Sequence, residues 1–150
     1  MFYSITTDLK KCLSFIVSLF LNLIIYCQDN IVGTWLTSDN KSHISIFKQE
    51  QYYHGKVSWV KDSIDPLTFK MVTDIHNPDP SQRKRQILGL SILNQFQYDS
   101  IKKIYRGGSF YFPRNGKAYR GKIWFLDSNT IMMRGYVLIF YSTDTWKRVK

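Results

Sequence analysis

Few residues of this chain have types and spacings that could perform catalysis. The three histidines, His43, His54 and His76, are far apart, and no His-x-x-His or His-Glu-x-x-His pair occurs. Zinc sites and zinc hydrolases commonly use such pairs, so the sequence predicts no metal site. No Gly-x-Ser-x-Gly motif marks a nucleophilic serine. We therefore name no catalytic residue and no cofactor, and the pattern argues against an enzyme.

An arginine inside an apolar run is the first candidate binding residue. Arg134 is the only charged residue of 131–141, and on a regular strand it shares one face with Met132 and Tyr136. If that face is turned inward, the guanidinium must be paired, because an unpaired buried charge is strongly destabilising. Either protein groups such as carbonyls and a tryptophan ring satisfy Arg134, or a ligand does. In the second alternative, Arg134 and Tyr136 are ligand-binding residues.

A basic run is the second candidate. Arg83, Lys84 and Arg85 are consecutive, and the chain has a formal net charge of +10. A basic residue close to an anionic membrane contributes about 1 kcal/mol to binding, so the run predicts contact with an anionic surface. Three such residues on a turn can equally form a face that contacts only water. We expect no nucleic acid as a partner, because the aromatic residues follow strand periodicity, as core residues do.

The N-terminal segment predicts export. Lys10 and Lys11 precede an apolar stretch over 13–26, which has the length of a signal-peptide core and is short for a membrane span. We expect residues 1–27 to be a signal peptide, and residues 28–150 to be a single domain in the periplasm or cell envelope.

Cys27 allows a second form of processing. A lipoprotein would carry its lipid on Cys27, but Tyr26 stands where that processing prefers a small residue, so we favour simple cleavage. Cys12 is the other cysteine, and a chain cut after Cys27 therefore has no disulfide.

The elements that must position the candidate residues are β-strands. Alternating or continuous apolar runs, separated mostly by short turns such as Asn115-Gly116, extend from Ile31 to Val149. They predict strands at 31–36, 43–48, 52–61, 90–98, 104–112, 119–125, 131–141 and 145–149, with a shorter one at 68–72. An up-and-down barrel hides the edges of such a set economically. The predicted fold class is all-β, a small antiparallel barrel of about eight strands.

The stretch 77–90 interrupts this pattern. Pro78 and Pro80 cannot lie in the middle of a sheet, and Asp79 or Ser81 can cap one short helical turn over 81–86. We expect this stretch to lie at one end of the barrel as a lid or plug.

The interior decides between two functions. An eight-stranded barrel holds either packed side chains or one small ligand. If a cavity remains, Trp59 and Phe110 join Arg134 and Tyr136 as residues that bind a small hydrophobic or amphipathic molecule. If the interior is packed, the protein is a non-enzymatic envelope protein whose basic surface contacts anionic lipid or polysaccharide.

A set of short motifs points to one family. They are Gly33-Thr34-Trp35, Gly55-Lys56-Val57, Asn77-Pro78-Asp79-Pro80, Leu88-Gly89-Leu90, Gly107-Gly108, Asn115-Gly116-Lys117-Ala118-Tyr119, Arg134-Gly135-Tyr136-Val137 and Thr145-Trp146-Lys147-Arg148-Val149. Together they resemble the domain of unknown function 2147 family, small exported bacterial proteins regarded as calycin-like or lipocalin-like barrels. The resemblance covers 31–149 and implies fold and export, with no activity to carry over.

The resemblance also implies roles for particular residues. In lipocalins a Gly-x-Trp tryptophan closes the barrel floor beneath an arginine from a late strand, which gives structural roles to Trp35 and Arg148. Fatty-acid-binding calycins hold a carboxylate with an arginine and a tyrosine, and Arg134 with Tyr136 is similar in type. Arg114 departs from the pattern, since it stands where the family commonly has an acidic residue, and this argues against a metal role for its loop.

Overall fold

The computed structural model describes residues 31–150, and the signal peptide predicted at 1–27 lies outside them. Eight antiparallel strands form one closed sheet: β1 (Gly33–Leu36), β2 (Ser42–Gln49), β3 (Tyr52–Val60), β4 (Ser91–Asp99), β5 (Ile104–Phe112), β6 (Lys117–Asp127), β7 (Thr130–Val137) and β8 (Phe140–Arg148). Each strand pairs with the next, and β8 returns to β1 through Trp35–Arg148 and Leu36–Lys147. The predicted up-and-down barrel is confirmed.

Side-chain alternation along the strands builds the core. Successive residues of a strand point to opposite faces, so every second apolar residue enters the barrel. The buried apolar side chains are Ile31, Trp35, Ile44, Ile46, Tyr53, Val57, Leu90, Leu93, Phe96, Tyr105, Phe110, Ile123, Ile131, Met133 and Trp146. Residues 31–150 contain no cysteine and therefore no disulfide. Removing these apolar side chains from water is thus the main contribution to the stability of this domain.

Irregular positions bend the strands around the barrel. The pairing of β5 with β6 shifts between Arg106 and Ser109, across Gly107-Gly108. Gly107 has a φ of +82°, in the region that favours glycine. Gly108 faces inward, and a Cβ there would lie 2.5 Å from the Phe96 ring. Bulges of this kind supply the curvature that barrel closure requires.

The boundary between the last two strands differs from the prediction. The run 131–141 was expected to be continuous, but β7 ends at Val137 and β8 begins at Phe140, with Val137 and Phe140 paired across the turn. Leu138 turns the chain with a φ of 53°. Glycine and asparagine are the usual residues at such an angle, so the composition concealed the hairpin.

The connection 61–90 between β3 and β4 contains the proline stretch. Its one helical turn is a 3-10 turn, Pro80–Gln82, which begins one residue earlier and is shorter than predicted; the Asp79 side chain caps it by accepting from the Ser81 amide. The strand predicted at 68–72 is reduced to a single bridge, Ile64 with Met71. Among the described residues, no helix has the length and apolar character needed to cross a membrane.

The two ends of the barrel differ. The up-and-down order places the β1–β2, β3–β4, β5–β6 and β7–β8 connections at one end, the open end. At the other end, Trp35 is fully buried and its indole nitrogen donates to the Ile31 carbonyl at 2.8 Å. The Arg148 guanidinium lies 4.2 Å from the Trp35 ring centroid and donates to the Val32 carbonyl. These contacts close that end.

Candidate ligand-binding cavity

A cavity of about 1030 Å³ lies inside the barrel toward its open end. Its wall is mostly apolar and comes from seven strands, through Ile44, Val57, Ile92, Phe110, Tyr119, Met133 and Trp146. The four connections of the open end form the rim. Ligand sites usually have volumes of about 300–1,000 Å³ and mostly apolar walls with few polar groups. The cavity is therefore large enough for one small molecule.

Phe110 is held in this wall by a close contact. It is buried, and its ring packs on Gly121 of β6, where a Cβ would lie only 2.0 Å from the ring. A side chain larger than hydrogen at Gly121 would displace Phe110 into the cavity. The small residue on β6 thus makes the space that the ring occupies.

Most polar residues of the cavity belong to the connections at the rim, and those within the strands include Asp144 and Tyr119. Asp144 lies on β8 directly across from the inward-facing Met133, so it belongs to the inner face. One oxygen of its carboxylate accepts from the Trp146 indole at 2.9 Å and the other from the Thr145 amide at 2.9 Å. Tyr119 also lines the cavity, and its hydroxyl accepts from the Asn115 side-chain amide at 3.0 Å.

A second polar cluster holds the long connection against the outside of β5. Asp74 is fully buried and accepts hydrogen bonds from the Asn77 amide at 2.7 Å, the Tyr111 hydroxyl at 2.8 Å and Arg85 at 3.0 Å. Burial alone would raise the pKa of Asp74, but the hydrogen bonds from Asn77, Tyr111 and Arg85 hold it below its usual value. Burial raises the pKa of Tyr111 most, and the hydrogen bond to Asp74 raises it further. We call these four residues the Asp74 network.

Sequence reasoning missed the Asp74 network. The signal present was the spacing of Asp74 and Asn77 just before the two prolines, which is typical of a side-chain-capped turn. Gly116 shows how closely this connection approaches the β5–β6 turn, since a Cβ on Gly116 would lie 1.8 Å from the His76 carbonyl oxygen. Within residues 31–150, no three His, Cys, Asp or Glu side chains are grouped so as to hold a metal ion.

Residues 33–148 match the model of a family described as "Uncharacterized protein conserved in bacteria (DUF2147)". The chain belongs to the DUF2147 family. No curated protein matches it. Among solved structures, the protein HP1028 from the human pathogen Helicobacter pylori, described as belonging to the lipocalin family, is similar with a TM-score of 0.66. It is 22% identical, over 80% of this chain and 83% of that chain, so the likeness shows a lipocalin-like fold alone.

In this DUF2147 barrel, Arg134 and Tyr136 do not face inward as expected. Ile131, Met133 and Gly135 fill the inner positions of β7, so the alternate residues lie outside. The Arg134 guanidinium lies 4.1 Å from the Tyr141 ring centroid and 5.4 Å from that of Trp124, and its Nε donates to the Thr143 hydroxyl at 2.9 Å. Protein groups on the outer face therefore satisfy Arg134, and the two alternatives considered for an inward-facing arginine do not apply.

Trp59 also lies on the outer face, contrary to expectation. The pairing of β2 with β3 passes from His43–Trp59 to Ile44–Val57, so Ser58 is an extra residue that reverses the alternation. Trp59 is 40% exposed, and its ring centroid lies 4.5 Å from that of His43. Of the four residues predicted to bind a ligand, the structure places only Phe110 in the cavity wall.

The basic run is partly engaged within the protein. The Arg83 Nε donates to the Asn77 carbonyl at 2.8 Å, and Arg85 belongs to the Asp74 network. Lys84 is exposed. Arg114, where the family commonly has an acid, forms an ion pair with Asp39 and so joins the β5–β6 turn to the β1–β2 turn at the rim.

Proposed function

We propose that this DUF2147 protein is an exported carrier that binds one small hydrophobic or amphipathic molecule inside its barrel, in the periplasm or cell envelope. The observation that carries the proposal is the cavity of about 1030 Å³ with its apolar wall. A filled interior would leave less room at this end of the barrel, so the cavity favours the carrier over an interaction protein with a packed barrel. The proposal includes no catalytic step.

Binding can be tested with an apolar fluorescent probe, N-phenyl-1-naphthylamine. We expect saturable binding of one probe per protein and quenching of tryptophan fluorescence, because Trp146 lies in the cavity wall. Gly135 faces the cavity, and a Cβ there meets Tyr119 only at 3.7 Å, an ordinary contact. Gly135→Phe should therefore fold, fill part of the cavity and weaken binding by at least about tenfold.

Met132→Phe is the matched control, because Met132 lies on the same strand as Gly135 but on its outer face. It should leave probe binding unchanged. Absence of one-to-one binding in the parent protein, or equal binding by folded Gly135→Phe, would overturn the carrier proposal. If the parent protein does bind the probe, native mass spectrometry of the protein from its own cell should identify the natural ligand as a stoichiometric adduct.

Export has a separate test. Mass spectrometry of the mature protein should find Gln28 as the first residue. A lipid-modified Cys27 at the N-terminus would indicate the lipoprotein form, and an intact residue 1 would contradict cleavage.

A second candidate function, contact with an anionic membrane, is favoured by the tip of the β7–β8 hairpin. Leu138, Ile139 and Phe140 are 95%, 87% and 69% exposed. Apolar side chains replace the usual turn residues here although Leu138 must adopt a positive φ, and a cluster of this kind commonly marks an interaction site. The net charge of +10 favours an anionic lipid surface as the partner.

Vesicle co-sedimentation tests this second function. Vesicles containing phosphatidylglycerol should bind the protein at low salt, and Ile139→Ser with Phe140→Ser should reduce the bound fraction several-fold. Lys84→Gln should weaken binding less and only at low salt. If the double variant binds as the parent does, or if it changes only self-association, the tip is not a lipid contact.

A further inference from the structure

We propose that Asp144 is the polar anchor of the cavity, and that the site selects amphipathic molecules with a protonated amine head group over those with a carboxylate. The inference rests on the proposed carrier function and names the class of ligand. It reverses the polarity expected if Arg134 faced inward, since the arginine lies outside and an acid lies within.

The position of Asp144 sets it apart from the other charged residues of the cavity. Asp39, Lys41, Asp62 and Arg114 also line it, but all four belong to the connections at the rim, and Arg114 is engaged by Asp39. Asp144 alone lies within a strand, at the level of the buried Met133 and two residues from the buried Trp146. A ligand that fills the cavity therefore contacts this carboxylate.

The existing hydrogen bonds of Asp144 orient it without using its full capacity. The Trp146 indole and the Thr145 amide each donate a hydrogen bond to one oxygen of the Asp144 carboxylate. A carboxylate has about four acceptor directions, so roughly two remain. The ion pairs within residues 31–150 are Arg85–Asp74, Arg106–Asp99 and Arg114–Asp39, and none of them includes Asp144. Its negative charge thus has no cationic partner in the described part of the chain.

The surroundings of Asp144 strengthen its preference for a protonated amine over a carboxylate. Ile44, Val57 and Phe110 line the same cavity as this acid, and charges interact more strongly where apolar surroundings reduce the amount of water. An ammonium head group would form charge-assisted hydrogen bonds with Asp144, while its alkyl chain would lie against the wall. A carboxylate head group would meet a like charge.

The test compares three ligands of equal chain length: dodecylamine, dodecanol and dodecanoate, each below its aggregation limit, in competition with N-phenyl-1-naphthylamine at pH 7. The parent should bind the amine about tenfold more tightly than the alcohol, and the alcohol more tightly than dodecanoate. The net charge of +10 attracts anions overall, so a preference for the amine cannot come from the general field of the protein.

Asp144→Asn removes the charge and keeps an oxygen to accept from the Trp146 indole. We expect the preference for the amine over the alcohol to fall below about twofold, with affinity for the alcohol retained. Asp62→Asn makes the same change of charge at the rim and should preserve the preference. If the alcohol and the fluorescent probe do not bind at all, the carrier function itself fails.

The two failures can be distinguished. If the alcohol binds but the parent takes dodecanoate as tightly as dodecylamine, the assignment of Asp144 is overturned and the carrier function stands. The same holds if folded Asp144→Asn keeps the amine preference, or if Asp62→Asn abolishes it equally. Because the first comparison uses only the parent protein, the inference remains testable even if Asp144→Asn does not fold.

Discussion

Replacement of Asp74 by alanine is expected to destabilise the barrel by about 3 kcal/mol. Asp74 is fully buried and accepts from three side chains. Removing one partner of a buried charged pair costs about 3 to 5 kcal/mol when the other charge stays buried. Arg85 is 45% exposed and can turn toward water, and Asn77 already lies 3.1 Å from the Tyr111 hydroxyl. These two facts place the loss at the lower end of that range.

Urea unfolding followed by tryptophan fluorescence measures this loss. Tyr111→Phe removes the hydrogen bond that the hydroxyl donates to the Asp74 carboxylate and the one it accepts from Asn77, and should cost about 1.5 to 3 kcal/mol. Because Asp74 and Tyr111 contact each other, the double variant should lose less than the sum of the two single changes. Asp62→Ala, an exposed acid of the same connection, is the control and should change stability by less than about 0.5 kcal/mol.

The reasoning would be refuted by a loss below about 1 kcal/mol in Asp74→Ala, or by strict additivity in the double variant. Limited proteolysis gives an independent check on where the loss occurs. If cleavage within 61–90 increases while the urea midpoint stays the same, the network holds only the connection and does not contribute to the barrel.

Three further predictions concern the same framework. Trp35→Ala should lower stability by about 3 to 5 kcal/mol, because a fully buried ring is removed; an unchanged thermal midpoint would show that Trp35 does not close the barrel. Since the pKa of Asp74 is held below its unfolded value of about 3.9, its contribution to stability is complete above that pH and is lost as the pH falls through the folded pKa. Acid unfolding of Asp74→Asn should thus show a weaker dependence on pH below about 4 than the parent, and parallel profiles would argue against the assignment. Gly116→Ala should cost at least about 1 kcal/mol by calorimetry, because Gly116 has a φ of +66° and the new methyl group would collide with the His76 carbonyl; full stability would mean that the connection can move away.

The barrel could be predicted because it depends on repeated, local signals. Alternation and turns such as Asn115-Gly116 recur along the chain, and errors at single strands do not change the topology. The β7–β8 hairpin escaped prediction because Leu138 and Ile139 are apolar and β-prone, so nothing in the composition marked a turn. The first of the two predicted strands was therefore extended to 141, past the turn and into the start of β8.

The site was harder to predict, because the face on which a residue lies depends on register. The extra residue at Ser58 moves Trp59 to the outside, and a bulge of this kind leaves no compositional mark. In 131–141 both faces are apolar, so alternation alone could not decide which side Arg134 occupies. Asp144 lies in a polar stretch near the C-terminus, and only its pairing with Met133 shows that it faces the cavity.

The shortness of β1 has a consequence for how the barrel admits a molecule. β1 ends at Leu36, so it pairs with β8 only at Lys147 and Arg148. On that side of β8, no described strand pairs with residues 140–146, which include Asp144. This seam between β1 and β8 is therefore the shortest ladder of the closed sheet, and few backbone hydrogen bonds resist its opening. If this seam opens, an alkyl chain longer than the cavity can extend through it while the head group proposed above stays at Asp144. We therefore expect affinity to vary strongly with the head group and weakly with chain length in a series of alkyl amines, and a sharp cutoff at one length would indicate a rigid wall instead.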